Sequence, residues 1–310
     1  MSLFIQQNQS VLDFASSECW VILSPIEQSI KRKIEAVGKP LKDWNIQIYR
    51  GVLTGYNEAF IISTEKKDEI LASCLDEDER ARTADIIRPI LRGRDIQRYN
   101  YTWADKWLIS TFPARHYDID KFPAIRDFLL SYDTRRLEQT GKEYIINGEK
   151  IKARKKTNNK WFETQDSISY WEDLNQPKIV WGEISDRSKF AYDFNGEYVP
   201  EATSFLMVGE KLPYLLCVLN SPLAEWFFSK IGTTTGVGTI RWKKYTIQEL
   251  LIPYPSNDLI ETICSYVESY VSGLISIKEL AEQANSKIYQ ITGLNPEEIK
   301  YVENFYPALL

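Results

Sequence analysis

The sequence predicts an α+β fold, a mixed and largely antiparallel sheet with flanking helices and a long C-terminal helix. Three observations carry this: short β-type runs separated by Gly- and Asn-containing turns, helices bounded by recognisable caps, and a heptad-spaced apolar stripe near the C-terminus. With 310 residues, 44% of them hydrophobic, the chain can bury one large core or two small ones.

The first helix is expected over residues 25–36. Ser24 stands as N-cap, Pro25 suits the first helical position, Glu27 completes a capping box, and Gly38 and Pro40 stop the helix. Ile26, Ile30 and Ile34 give it one apolar stripe. Strand-type runs follow at 46–49 and 59–63, joined by GVLTGYNE, whose Gly51, Gly55 and Asn57 tolerate turn conformations that cost other residues energy. Further strands are expected at 106–110, 178–183, 190–193 and 204–208, with Asn195-Gly196 as a turn. Helices are expected at 212–219 and 222–230, the second with Ser221 as N-cap and Pro222 behind it. A Gly-rich loop, GTTTGVGT (232–239), then leads to LLIPYP, where Pro253 and Pro255 end regular structure. Finally, Ile260, Ile263, Val267, Tyr270, Leu274, Ile277, Ala281, Ala284 and Ile288 recur alternately three and four residues apart, the pattern of a helix that packs along another.

Several chemistries lack their residues. Cys19, Cys74, Cys217 and Cys264 are far apart and His116 is the only histidine, so no zinc-ligand spacing or redox pair is present and the cysteines read as free thiols. Nothing resembles the Gly-rich turn and Asn/Asp-Pro-Pro-aromatic motif of an amino-methyltransferase; Asn295-Pro296-Glu297 reads instead as the start of a last short helix. No Walker lysine follows the Gly232 loop. Glu65-Lys66-Lys67 matches the Glu-x-Lys of a metal-dependent nuclease by letter, but reads as a charged, solvated turn. No apolar run reaches the roughly 18 residues of a membrane span, and MSLFIQQNQSVLDF lacks the plan of a secretory signal, so the cytoplasm is the expected location.

What remains is a set of polar loops suited to nucleic acid. The formal charge of −5 opposes DNA binding in sum, yet residues 149–160 (EKIKARKKTNNK) carry six cations against one anion. Four segments qualify: 54–57, 92–98, 150–160 and 233–241. They hold Lys and Arg for phosphates, with Arg, Asn and Thr for base edges.

In order along the chain, RGVLTGYNEAFII (50–62), PILRGRDIQRY (89–99), WLIST (107–111), QPKIVWGEIS (176–185), TSFLMVG (203–209), YLLCVLNSPLAEWFF (214–228) and GTIRWKKYTIQELLIPYP (238–255) resemble one family. It is the specificity region that follows the methyltransferase domain in TaqI-like and Eco57I-like adenine-specific modification enzymes, including fused restriction-methylation proteins. The last segment and heptad tail are also similar to the helical spacer of type I specificity subunits. The resemblance implies a docking helix and linker at 1–45, a DNA target recognition domain at 46–255 and a helical spacer at 256–310. It further implies double-stranded DNA as partner, a methyltransferase domain preceding this chain in the same polypeptide, S-adenosylmethionine as that domain's cofactor, and no catalytic residue or cofactor here. Loop chemistry and resemblance together suggest that Lys152, Arg154, Lys155, Lys156 and Arg241 anchor phosphates, with Lys160 in the same cluster. Thr54, Asn57, Arg92, Arg94 and the Gly232 loop, Thr234 included, then read base edges. Internal pairing of Arg92 or Arg94 with Asp95 or Asp105 is the competing expectation for those two. For the whole chain, the competing one is a protein-interaction module that docks a partner through the heptad tail.

Overall fold

The computed structural model describes residues 23–146, 148–231, 233–234 and 240–305. They form two compact units. One comprises Gln47–Glu183 and Ala191–Val208; the other takes its described residues from 23–46, 184–190 and 209–305.

The first unit is built on sheets. Four strands run in the order Phe190–Asp193, Lys178–Gly182, Ser204–Gly209 and Ile46–Arg50. Ser204–Gly209 is antiparallel to Lys178–Gly182 and sets Phe205 opposite Trp181, their rings stacked at 5.6 Å. Every residue of Lys178–Gly182 is buried, as befits a strand covered on both faces. A second sheet has the order Val199–Pro200, Ile87–Leu91, Lys106–Ile109 and Ile61–Ser63. Its pairings are antiparallel except for Val199–Pro200, which runs parallel to Ile87–Leu91. The α+β class with a mixed, largely antiparallel sheet is therefore the observed one. Ile90, Leu91, Leu108, Ile109, Val180 and Leu206 are among the residues of the unit's core.

Two local expectations change. Residues 59–63 do not form one strand: the helical turn Asn57–Phe60 comes first, and only Ile61–Ser63 pairs. Glu65-Lys66-Lys67 is not a turn but the start of the helix Thr64–Ala72, because the Ser63 hydroxyl accepts from the Lys66 N–H and caps it. Lys67 rests its ammonium 3.6 Å from the centre of the Trp107 ring.

The second unit is mainly helical. Pro25–Val37 carries the capping box read from Ser24 and Glu27, and Lys230 meets Glu27 at 2.6 Å. Gly38–Pro40 pairs antiparallel with Leu251–Pro253. Leu212–Leu219 and Pro222–Ile231 lie where expected, with Ser221 Oγ accepting from the Ala224 N–H at 3.1 Å. The heptad stripe is divided between two helices, Asn257–Val271 and Ile277–Thr292. Gly273, at φ +73°, and a capping box on Ser276 break the helix, and neither interrupts the apolar spacing. Ile260, Ile263, Val267, Ala284 and Ile288 are buried, and both helices pack on one another and on Leu212–Leu219. Through that packing the described residues of 209–255 group with the terminal helices. Asn295 caps the last helix, Pro296–Asn304, through a reciprocal bond with Glu298.

Candidate nucleic-acid interface

In the sheet unit, the strands Glu143–Ile146 and Glu149–Lys152 form an antiparallel hairpin. Alternation along the second strand buries Ile151 and leaves Lys150 and Lys152 exposed. Lys150 is paired with Glu143 at 2.7 Å. Lys152 at the end of the hairpin and Lys155 and Lys156 beyond it line a cleft of about 490 Å³, together with Gly55, Tyr56 and Arg136. Lys152, Lys155 and Lys156 are exposed, and none of the three makes an ion pair among the described residues. The cleft therefore presents three lysines outside any ion pair among the described residues, with Glu143 near Lys152 and Asp166 near Lys155 as more distant counter-charges.

Arg154 contributes to the cleft differently from the sequence expectation. It is only 4% exposed, and its guanidinium bonds to backbone carbonyls alone. Nε and Nη2 donate to Leu137 O at 2.9 and 2.6 Å, and Nη2 also to Trp161 O at 2.6 Å. Nη1 donates to Thr54 O at 2.8 Å and to Glu163 O at 2.7 Å. All five N–H donors of the fork are thus used. Burial pulls the pKa down to about 10, against the supporting charge of Glu163, so the group stays protonated at neutral pH. In this structure all of its donors are held internally and none is offered to a phosphate.

Thr54 is held internally as well. It is fully buried; its hydroxyl donates to Asn57 Oδ1 at 2.6 Å and accepts from the Tyr56 N–H, forming a side-chain turn. Asn57 is exposed, and its Nδ2 makes no hydrogen bond among the described residues. Two of the four candidate segments, 54–57 and 150–160, are therefore joined through Arg154. Lys160, at the end of the basic run, is exposed, with its ammonium 5.4 Å from the Phe162 ring.

Arg92 is engaged elsewhere. Its Nε and Nη2 grip Asp95 at 2.9 and 2.7 Å, and its backbone N–H adds a third bond to that carboxylate. Burial raises the Asp95 pKa, but these bonds outweigh it and hold the group below the usual carboxylate range. The internal pairing is the observed state of Arg92, while Arg94, on the turn Gly93–Asp95, is exposed without an ion pair among the described residues. Thr234 and Arg241 belong to the helical unit, where Thr233–Thr234 pairs with Ile240–Arg241. Arg241 is half-buried next to Trp242, which stacks on Phe228 at 4.1 Å. Gly232 and residues 235–239 of the Gly-rich loop lie outside the described residues, as does Cys19.

Arg136 was not singled out from the sequence. A signal exists in Asp133-Thr134-Arg135-Arg136: Asp133 caps the turn and binds Arg135 at 2.6 Å, which leaves the second arginine to line the cleft. Among the described residues no cluster of His, Cys, Asp and Glu is arranged to hold a metal ion, and no helix is long and apolar enough to cross a membrane.

The type II methyltransferase M.PaeR7I of Pseudomonas aeruginosa is 22% identical over 286 residues, which cover 91% of this chain and 44% of that protein. The chain thus spans less than half the length of this relative. Among solved structures, the type IIG restriction endonuclease BpuSI superposes with a TM-score of 0.49 at 13% identity, over 89% of this chain and 34% of its own. The type IIL restriction-modification enzyme MmeI, solved in complex with DNA, gives 0.47 at 11%, over 88% and 34%. Residues 88–252, more than half of the chain, match the TaqI-like C-terminal specificity domain, and the chain belongs to that family.

Proposed function

We propose that this chain is the sequence-specific DNA recognition part of a restriction-modification protein, and that it positions duplex DNA for an adenine-N6 methyltransferase domain in the same cytoplasmic polypeptide. The cleft lined by Arg136, Lys152, Lys155 and Lys156 within a specificity-domain family carries this reading. Lys152, Lys155, Lys156 and Arg136 neutralise phosphates and fix the register, with Lys160 extending the track. Asn57 and Arg94 are the exposed candidates for base edges, Asn57 through its amide N–H groups and Arg94 as a fork suited to guanine. Arg241 and Thr234 remain proposed contacts from the other unit.

The methyl donor, S-adenosylmethionine, belongs on this reading to the methyltransferase domain. The nearest approach here to that domain's base-holding motif, Asn295-Pro296-Glu297, does not fit the role, because the Asn295 side chain accepts from the Glu298 N–H and serves as a helix cap. The rival reading, docking through the heptad tail, loses most of its surface to the interior. Its support is the exposed trio Val271, Leu274 and Ile277 at the turn between the two helices.

The deciding experiment is selection from random duplex DNA at low salt with the full chain. Enrichment of one short motif containing adenine is the expected result. Absence of both a motif and salt-dependent binding, together with concentration-dependent dimerisation lost on truncation after Pro255, would replace it with the docking reading.

A further inference from the structure

We propose that Arg154 is the positioning residue of the cationic cleft: its buried guanidinium sets the spacing of Arg136, Lys152, Lys155 and Lys156, and thereby the number of phosphates engaged at once. The inference rests on the reading of the cleft as a phosphate site.

The connectivity carries it. Thr54, whose carbonyl accepts from Nη1, immediately precedes the lining residues Gly55 and Tyr56. Leu137, whose carbonyl accepts two bonds, immediately follows Arg136. Arg154 itself lies between Lys152 and Lys155 in the chain, and its remaining bonds hold Trp161 and Glu163. Gly55, Tyr56 and Arg136 are therefore one or two residues from a carbonyl that the guanidinium holds, and Lys152, Lys155 and Lys156 are one or two residues from Arg154 itself. Grouping several like charges is unfavourable in itself, so a rigid support is needed to keep them together before an anion arrives. Lysine could not substitute: its ammonium has three donors and no fixed fork, against five here.

Gly55 is matched to this arrangement. Its φ is +77°, and a Cβ added there would stand 2.9 Å from Arg154 Cδ and 2.2 Å from Gln165 Oε1. The turn can lie on the arginine stem only where no side chain intervenes.

The test compares the salt dependence of duplex binding for the full chain, Arg154→Lys, Gly55→Ala and the double variant Lys155→Ala with Lys156→Ala. Arg154→Lys, confirmed folded by circular dichroism, should lose roughly tenfold in affinity and flatten the log K against log salt slope by about 1.8, the equivalent of two phosphates, although it keeps every charge. Amide exchange at 53–57, 136–138 and 161–164 should rise together. Gly55→Ala disturbs the same support from the opposite side and should give the same flattening; it decides the matter if Arg154→Lys does not fold. A folded Arg154→Lys or Gly55→Ala protein with an unchanged slope overturns the positioning role alone, provided the double lysine variant shows its loss. If the wild-type chain has no salt-dependent binding, or the lysine pair makes no difference to it, the phosphate reading falls and this inference falls with it.

Discussion

Arg154 Nη1 donates to Thr54 O across 2.8 Å and 100 residues of sequence, so that a residue expected to touch phosphate and one expected to touch bases instead hold each other in the interior. Replacing Arg154 with Met would keep the stem but leave the carbonyls of Thr54, Leu137, Trp161 and Glu163 without this donor. An unsatisfied buried acceptor costs about 1–3 kcal/mol; Glu163 O keeps the Gln139 Nε2 donor at 3.1 Å, and partial rehydration will spare some of the other three. The expected loss is about 3–5 kcal/mol, read as a lowered urea midpoint at unchanged slope. A loss under about 1 kcal/mol would mean that the carbonyls find other partners.

A second buried charge makes a separate prediction. Lys178 Nζ sits 2.7 Å from Asp193, with side-chain exposures of 0% and 1%, and also donates to Leu174 O at 2.9 Å. Burial lowers the Lys178 pKa, and Asp193 opposes that shift by charge and hydrogen bond. Asp193 in turn accepts the N–H groups of Glu197 and Tyr198, at 3.1 and 2.9 Å, and so closes the Asn195-Gly196 turn. Lys178→Met should cost about 3–5 kcal/mol, because it strands a carboxylate in the core. Adding Asp193→Asn to that variant should recover part of the loss. If the double variant is no more stable than the single, the stranded charge is not the cause.

How much of this was legible follows from where the information resides. Local signals gave the helices Pro25–Val37 and Leu212–Leu219 and the strand Phe190–Asp193 with little error, since caps, prolines and alternation act over a few residues. The stripe from Ile260 to Ile288 predicts one helix where the structure has two, because apolar spacing does not register Gly273 and Ser276 as a break. At the candidate site, the basic character of 150–160 was plain in the sequence. Which of its cations face solvent was not, because Lys155 and Arg154 are neighbours with the same sign, and only contacts with Thr54, Leu137, Trp161 and Glu163 send one of them inward. Arg136 was missed for the complementary reason: its neighbour Arg135 takes the local carboxylate, a choice made by geometry.

The helical unit should show an acid limb that traces to Glu27. Burial would raise this carboxyl, but the Lys230 ammonium and the Ser24 N–H, with help from Tyr301, outweigh burial and bring its pKa from 4.5 down to about 2. The folded state therefore binds this proton less readily than the unfolded state. The stabilisation is complete above about pH 4.5 and is lost as pH falls through about 2. Urea midpoints measured from about pH 6 downward should show Glu27→Gln less stable than wild type at the top of that range, with the gap closing across the window. A gap that stays constant with pH would assign the difference to the capping geometry and not to the charge.

On the proposed function, DNA binding should separate the exposed cations by role. Lys155 and Lys156 line the cleft without an ion pair among the described residues, so replacing both with Ala should weaken binding evenly across sequences and flatten the salt slope by about 2. Arg94→Ala should act differently, relaxing preference at one base pair by about 1–3 kcal/mol with little change in slope beyond one contact. Arg92→Ala is the informative comparison, since its guanidinium is occupied by Asp95 at 2.7 and 2.9 Å. Its main effect should be on stability, through an Asp95 carboxylate left 6% exposed and half-satisfied. Competition binding against single-base variants of the selected site measures the first two, and a urea midpoint measures the third. A sequence-selective loss from the lysine pair, or an even loss from Arg94→Ala, would interchange the two roles.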